Sequence, residues 1–260
     1  MDLFEGLKSK IKGQNRTVVF PEGEDIRVLA AAIRLTNDGL AQSILLGVEA
    51  DIKAVAEKNG LDLTKVQIID PAQYPEADHQ EMVDKLVERR NGKNTEEQVI
   101  EMLKDVNYFG TMLVYLGKAD AMVSGAVHAT GDTVRPALQI IKTKPGMRRI
   151  SGAFIMQRED ERYVFGDSAI NIDPDADTLA EIAIQSAETA RLFDIDPKVA
   201  MLSFSTKGSA AGPMVDKVRE ATKIAQERDP QTSIDGELQF DAAFVPAVGA
   251  SKAPDSEVAG

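Results

Sequence analysis

The stretch RTVVFPEGEDIRVLAAAIRLTNDG, residues 16–39, decides the fold of this chain. It opens with a short run of β-branched residues that stops at Pro21, and this predicts a β-strand. Beyond the proline, Ile26, Leu29 and Ile33 recur at the spacing of one helix face, and a glycine ends the periodic run. The stretch therefore predicts a strand that is followed directly by a helix.

The same alternation continues along the chain. SILLG (residues 43–47) predicts a second strand and VEADIKAVAEKNG (48–60) a helix. KVQIIDP (65–71) predicts a third strand, and a polar helical region runs over residues 79–90. Strands that alternate with helices favour a sheet of parallel strands covered by helices on its faces. We expect an α/β fold with mostly parallel sheets.

Residues 95–116 predict one long helix, and ADAMVSG (119–125) predicts a buried strand that ends in small residues. From about Arg149 the pattern of the sequence changes. RRISGAFIMQ and ERYVFGDSA then flank the charged turn REDE, which predicts an antiparallel hairpin. A helix (173–193), a strand (198–204) and a helix (214–228) follow, and the tail from residue 233 ends in loop-like sequence. We expect two α/β domains, residues 1–146 and 147–260.

Composition restricts the function classes. The chain has 260 residues, a net charge of −12, no cysteine and two histidines. An acidic chain is poorly suited to nucleic acid or an anionic membrane surface. Disulfides, thiolate metal sites and a cysteine acyl-enzyme are excluded, and we expect no metal site. With no signal peptide and no apolar span, we expect a soluble cytoplasmic protein that acts on small molecules.

Two loops of similar composition each follow a predicted strand and precede a helix. In parallel sheets this is where ligands bind, because small residues allow a close approach and helix N-termini attract anions. Neither loop contains a standard nucleotide motif. We predict that both bind substrate, through Ser124, Gly125, His128, Thr130 and Thr133 in the first loop and Ser205, Thr206, Lys207, Gly208 and Ser209 in the second.

Charged side chains near these loops have more than one interpretation. Arg135 is suited to grip a phosphate or carboxylate, although a surface arginine beside a helix start is an equal alternative. It precedes Pro136, which we expect in the first turn of the helix. The segment IDGELQFDA offers Asp235, Glu237 and Asp241 as acid/base groups or as part of a structural turn. The alternating aspartates of IDPDAD favour helix capping over calcium binding.

Four segments resemble the phosphate acetyltransferase (phosphotransacetylase) family, within the phosphate acetyl/butyryltransferases. They are FPEGEDIRVLAAA, NYFGTMLVYLGKADAMVSGAVHATGDTVRPALQIIKT, PKVAMLSFSTKGSA and IDGELQFDAAFVPAVGASKAP, and they spread over nearly the whole chain. The resemblance implies two α/β domains of the isocitrate/isopropylmalate dehydrogenase-like type, with an interdomain cleft, in a homodimer. It also implies reversible acetyl transfer between acetyl phosphate and coenzyme A, with inorganic phosphate as the other product or substrate.

The resemblance assigns roles to individual residues. Arg135 takes the place of the phosphate-side cation, and Arg89, or alternatively Arg90, resembles the arginine associated with coenzyme A. No bound cofactor is implied, because coenzyme A is a substrate. Transfer is direct, within a ternary complex of both substrates.

The chain departs from the family pattern at its C-terminal end. Family members continue into a segment that carries a Ser-Arg pair and an aspartate regarded as the catalytic base, and neither follows Gly260. We therefore expect a C-terminally truncated chain in which the first domain lacks its completing segment and the second is incomplete, with weak or no activity by itself. Alternatives are a phosphate butyryltransferase, a non-catalytic binding module like the appended domain of malic enzymes, and a metal-dependent hydroxy-acid dehydrogenase. A dehydrogenase would need an aspartate cluster and a nicotinamide site, and the sequence offers neither convincingly.

Overall fold

The computed structural model of the chain describes residues 3–260, and the chain forms two compact units. The first unit ends at Lys142 and the second begins at Thr143, a few residues before the predicted domain boundary. Residues 1 and 2 lie outside the described part. No helix within residues 3–260 has both the length and the apolar composition needed to cross a bilayer.

The first unit is a four-stranded parallel sheet with helices on its faces. The strands lie in the order β3-β2-β1-β4, and every pair is parallel, as predicted. The strands are β1 (Thr17–Phe20), β2 (Gln42–Leu46), β3 (Gln67–Ile69) and β4 (Ala121–Met122). The helices are α1 (Leu3–Ile11), α2 (Ile26–Asn37), α3 (Glu49–Lys58), α4 (Glu76–Arg90), α5 (Glu96–Met102), α6 (Val106–Tyr115) and α7 (Thr130–Ile140), with a short 3₁₀ turn at Pro71–Gln73.

Alternation along β1 and β2 gives this sheet a core on each face. Successive side chains of a strand point to opposite faces. Val19 and Ile44 belong to the core cluster that α4 to α7 complete, whereas Phe20 and Leu45 belong to the cluster that α2 and α3 complete. Both faces of the sheet are therefore buried, which explains the continuous apolar composition of its strands.

The second unit combines a hairpin with a small parallel sheet. In the hairpin, β5 (Ala153–Arg158) pairs antiparallel with β6 (Glu161–Gly166), which confirms the predicted hairpin. The parallel pair is β7 (Lys198–Leu202) and β8 (Ser233–Leu238). The helices are α8 (Ala176–Leu192), α9 (Pro213–Arg228), α10 (Phe240–Phe244) and α11 (Pro246–Lys252). Asp175 caps α8 by accepting from the Thr178 N–H at 2.7 Å, so the capping interpretation of IDPDAD is confirmed.

Three predictions of local structure are wrong. The long helix predicted over residues 95–116 is broken after Met102, because Asp105 starts a new helix by accepting from the N–H groups of Asn107 and Tyr108. Pro136 lies inside α7, which begins six residues earlier at Thr130. The buried strand predicted over residues 119–125 is reduced to β4, which is not buried because it lies at the edge of the sheet.

Gly23 marks a close approach between the start of the β1–α2 connection and the end of β2. Its N–H donates to the Leu46 carbonyl at 3.1 Å, and a Cβ at this position would lie 2.6 Å from the same oxygen. We expect Gly23→Ala to lower the free energy of unfolding by about 1–3 kcal/mol through overpacking. Urea denaturation followed by circular dichroism measures the change.

Gly131→Ala is the matched control. A Cβ at Gly131 would meet only the far end of the Arg135 side chain, at 4.0 Å. Since alanine also favours a helix, this variant is expected to be neutral or stabilised by up to about 1 kcal/mol. Equal losses in both variants would contradict the steric explanation.

Candidate active site

Glu22 organises the loop that follows β4, residues 123–129. Its carboxylate, 6% exposed, accepts four consecutive backbone N–H groups of that loop. Gly125 and Ala126 donate to Oε2 at 3.1 and 2.8 Å, and Val127 and His128 donate to Oε1 at 2.7 and 2.8 Å. The loop is thus wrapped around one side-chain anion.

Sheet topology brings these residues together. β1 and β4 are neighbouring parallel strands, with Val19 opposite Met122, so their carboxyl ends lie at the same edge of the sheet. Glu22 follows β1 and the loop follows β4. Gly125 adopts a φ of +110°, which L-residues rarely adopt, and this lets the chain turn around the carboxylate.

His128 makes a further contact with the same carboxylate. Its Nδ1 lies 2.9 Å from Glu22 Oε1. Burial raises the pKa of Glu22, but the hydrogen bonds from His128, Val127 and Ala126 outweigh burial and lower it to about 2. The carboxylate is therefore ionised and only accepts, so the imidazole carries its proton on Nδ1 in this contact.

The remaining predicted residues of the first loop are less enclosed. Ser124 donates its hydroxyl to Oδ1 of the fully buried Asn107 at 2.6 Å. The Nδ2 of Asn107 has no hydrogen-bond partner among residues 3–260. Thr133 donates to the Ala129 carbonyl at 3.4 Å, and Thr130 is the exposed first residue of α7.

Arg135 lies within α7 rather than before it. Its side chain is 62% exposed, and its ion pair with Asp132 is long, at 3.9 Å.

Tyr108 of α6 donates its hydroxyl to Gln139 at 2.9 Å. Burial raises the pKa of Tyr108, and the positive charges of Arg135 and Arg90 oppose part of that rise. The charges of Arg135 and Arg90 therefore both lower the pKa of the Tyr108 hydroxyl.

The two alternatives for the coenzyme A arginine have different surroundings. Arg89 donates through Nε to the Ile140 carbonyl at 2.6 Å and through Nη2 to the Ile141 carbonyl at 3.1 Å. Its guanidinium also lies 5.3 Å from the centre of the Tyr115 ring. Among the described residues, Arg90 donates only through Nε, to Asn94 at 2.7 Å. Arg89 thus ties the end of α7 to α4, whereas Arg90 keeps most of its donors free.

The second loop, residues 203–212 after β7, is built around another buried carboxylate. Glu237 of β8 is 2% exposed and accepts from the Gly208 N–H at 2.8 Å and the Ser205 hydroxyl at 3.0 Å. Arg219 of α9 donates to both of its oxygens at 2.9 Å. Burial raises the pKa of Glu237, but the hydrogen bonds from Arg219, Gly208 and Ser205 outweigh burial and lower it to about 2.

Most polar groups of this loop are used inside it. Ser205 and Thr206 are buried, and Thr206 exchanges hydrogen bonds with Gln239. Ser209 accepts from the Thr206 N–H at 3.0 Å. Lys207 forms an ion pair with Asp235 at 2.5 Å. Of the five predicted residues, Lys207, Gly208 and Ser209 are exposed. The substrate-binding assignment of both loops stays a prediction.

The three carboxylates of IDGELQFDA are paired with cations. Asp235 contacts Lys207, Glu237 contacts Arg219, and Asp241 contacts Lys252 at 2.9 Å. In addition, the pKa of Asp235 and that of Asp241 are lowered, for Asp235 because the lysine contact outweighs burial. A carboxylate that stays ionised cannot act as a general acid near neutral pH, and a lowered pKa makes it a weak general base, so the structural interpretation is favoured.

Sequence reasoning missed the roles of Glu22, Asn107 and Arg219. Glu22 was visible as a lone charge between the apolar strand TVVF and a glycine, but its partners lie about a hundred residues away. Asn107 and Arg219 stand in helices where a polar residue is normally exposed. Only the packing of these helices against the loops shows what the two side chains contact.

Comparisons with known proteins place this chain among acyl-phosphate enzymes. A family model described as phosphate acetyl/butaryl transferase matches residues 2–260. The chain is 57% identical over 264 residues to a phosphate acetyltransferase from Staphylococcus epidermidis, and 55% over 259 residues to one from Bacillus subtilis. Each alignment covers 100% of this chain and 80% of the relative.

A solved structure is similar along almost the whole chain. It is a phosphotransacetylase from Streptococcus pyogenes, 60% identical, with a TM-score of 0.95. The match covers 99% of this chain and 78% of that chain. The α/β architecture and parallel sheet described above are therefore those of phosphotransacetylase structures.

The two buried glutamates generate a prediction about acid stability. Their pKa values are lowered from 4.5 to about 2, so the stabilisation is fully present above pH 4.5 and is lost as the pH falls toward 2. We expect Glu237→Gln to lower the free energy of unfolding near neutral pH by on the order of 2–3 kcal/mol. Its stability should also decline less steeply between these pH values than that of the wild type.

Urea denaturation at a series of pH values measures this difference, and Glu227→Gln is the control. Glu227 is an exposed residue of α9 whose ion pair with Lys223 is 3.9 Å long. An exposed pair of this kind contributes roughly 0–1 kcal/mol. Parallel pH profiles for wild type and Glu237→Gln would refute the assignment.

Proposed function

The chain belongs to the phosphate acetyl/butaryl transferase family, and we propose that it is an acyltransferase that moves an acetyl group reversibly between acetyl phosphate and coenzyme A. The observation that carries the proposal is the similarity, at 55–57% identity along the whole chain, to relatives named phosphate acetyltransferase. We further propose an isocitrate/isopropylmalate dehydrogenase-like fold, a homodimer and a cytoplasmic location.

Arg135 and Arg90 are proposed as the cations that meet the negative charges of the substrates. Arg135 is largely exposed and weakly paired, so its fork of N–H donors is available to a phosphoryl group. Arg90 is held through one nitrogen and leaves its terminal donors for a phosphate of coenzyme A. Arg89 is not favoured for this role, because two backbone carbonyls and an aromatic ring already occupy its guanidinium.

The reaction follows from the substrates. The coenzyme A thiol has to become a thiolate before it attacks the acetyl carbonyl, and the carbon–oxygen bond to phosphate then breaks. A guanidinium at the phosphoryl group stabilises the negative charge on the leaving phosphate. Holding both substrates in one ternary complex makes the attack effectively unimolecular, which accounts for direct transfer.

The resemblance assigns the catalytic base to a segment beyond the residues that this chain shares with its relatives. The assay therefore uses two forms, the 260-residue chain and the same chain joined at its C-terminus to the final segment of the Bacillus subtilis relative. Acetyl phosphate and coenzyme A are supplied, and thioester absorbance is followed. We expect the extended form to produce acetyl-CoA much faster than the 260-residue chain.

The same assay discriminates the alternatives. We expect acetyl phosphate to exceed butyryl phosphate by at least about tenfold in kcat/KM, and the reverse order would favour a butyryltransferase. If neither form turns over but coenzyme A raises the melting temperature of both, the chain is a binding module. Light scattering after size-exclusion chromatography tests the homodimer.

Arg135 provides a direct test of the phosphate-side assignment. We expect Arg135→Gln to reduce kcat/KM for acetyl phosphate in the extended form by about a hundredfold, because one charge-stabilising group is removed from the leaving phosphate. Arg34→Gln, at an exposed arginine of α2 with a 3.7 Å ion pair to Asp38, is the control and should keep wild-type kinetics. Equal kinetics in the two variants would remove Arg135 from the mechanism.

Arg89 and Arg90 are expected to respond differently to the same substitution. Arg90→Gln should raise KM for coenzyme A about tenfold with little change in stability, since one charge-assisted contact is lost. Arg89→Gln should lower the free energy of unfolding by about 1–3 kcal/mol, because two carbonyls lose their donor. Kinetics and urea denaturation of both variants measure this. A coenzyme A defect confined to Arg89→Gln would reverse the assignment.

A further inference from the structure

We propose that Glu22 is a positioning residue that presents Nε2 of His128 as a hydrogen-bond acceptor to the phosphoryl group of the substrate. The proposal rests on the proposed function, because it names the contact by which the first loop meets inorganic phosphate. It concerns binding and orientation, and no proton is transferred.

Four consecutive N–H groups of the loop are not available to an anion. Small residues before a helix usually bind phosphate through consecutive N–H groups. Here the N–H groups of Gly125, Ala126, Val127 and His128 all point to Glu22, at 2.7–3.1 Å. At residues 125–128 a ligand therefore has to be met by side chains.

The Glu22 contact determines which ring nitrogen is free. Since the ionised carboxylate only accepts, Nδ1 of His128 donates to it at 2.9 Å. In the neutral ring, Nε2 is then the acceptor. It has no hydrogen-bond partner within residues 3–260, and the His128 side chain is 29% exposed. Glu22, at 3% side-chain exposure, is covered by the loop that it holds.

This arrangement suits hydrogenphosphate. In the direction from acetyl-CoA to acetyl phosphate, the phosphate that enters carries one P–O–H group, which can donate to Nε2. Its remaining oxygens carry negative charge and suit the exposed guanidinium of Arg135, which lies on the helix that this loop starts. One neutral acceptor and one cation therefore match the protonation pattern of the substrate.

Nitrogen NMR of isotope-labelled histidine tests the geometry without any need for activity. The chain contains only His79 and His128, so two ring systems are observed, and His79→Gln assigns them. At a pH where the ring is neutral, we expect His128 in the Nδ1–H tautomer and a shift of its Nε2 signal on titration with inorganic phosphate. An Nε2–H tautomer, or no response to phosphate, overturns the proposal.

Glu22→Gln isolates the role of the carboxylate. A glutamine at this position offers one acceptor oxygen, and its NH₂ group faces donors of the loop. We expect mixed His128 tautomers and a weaker response to phosphate. Glu181→Gln is the matched control, because Glu181 is 2% exposed and accepts the N–H groups of Arg148 and Arg149 at 3.0 and 3.1 Å in the other unit. It is expected to lose stability without any change at His128.

Two substitutions of His128 separate the ring nitrogens. His128→Asn places a donor near Nδ1 and removes Nε2, whereas His128→Gln keeps a polar group near Nε2. In the extended form, we expect the Asn variant to raise KM for inorganic phosphate about tenfold, with KM for acetyl-CoA unchanged. The Gln variant should restore most of the phosphate affinity. Equal phosphate KM values in wild type and His128→Asn would overturn the proposal.

Failure of this inference differs from failure of the proposed function. An active enzyme whose His128 signals ignore phosphate contradicts the inference alone. An extended form without turnover contradicts the proposed function, while the NMR titration of the 260-residue chain still decides whether His128 binds phosphate.

Discussion

Buried carboxylates that accept backbone N–H groups hold the loops of this protein in place. Glu22 and Glu237 do so beside the two candidate substrate loops. The half-buried Asp167 accepts the N–H groups of Gly152, Ala169, Ile170 and Asn171, and the buried Glu181 accepts those of two arginines. A buried charge is stabilised only when it is fully hydrogen-bonded, so each carboxylate imposes one conformation on the loop around it. The loops are therefore held in fixed conformations by the packed structure.

These hydrogen bonds determine which polar groups of the two loops remain available to a substrate. In the first loop Glu22 occupies the N–H groups of residues 125–128, while the imidazole of His128 and the guanidinium of Arg135 remain accessible to a ligand. In the second loop the serine and threonine hydroxyls largely serve Glu237, Gln239 and one another. Both loops were predicted for their small and hydroxyl residues, but many of these residues maintain the loop conformation instead.

The errors of the sequence-based prediction have specific physical causes. The long helix after Thr95 is interrupted because Asp105 offers the backbone an N-cap, which competes with continued helix. Strand β8 was overlooked because its centre, Asp235-Gly236-Glu237, has the composition of a turn. Those carboxylates are tolerated in a strand because Lys207 and Arg219 pair with them across the loop and from α9. Arg89 and Arg90 are adjacent in sequence, and only their partners distinguish them.

The sequence by itself determined the order of strands and helices, the parallel sheet of the first unit, the hairpin and the resemblance to acetyl transfer enzymes. These features depend on local periodicity and on segments that can be compared directly. Tertiary structure alone decided that Glu22 meets residues 125–128, that Glu237 meets Arg219, and that Arg89 holds the end of α7. Such pairs join residues that are distant along the chain, and no local pattern encodes which donor a carboxylate will find once strands become neighbours.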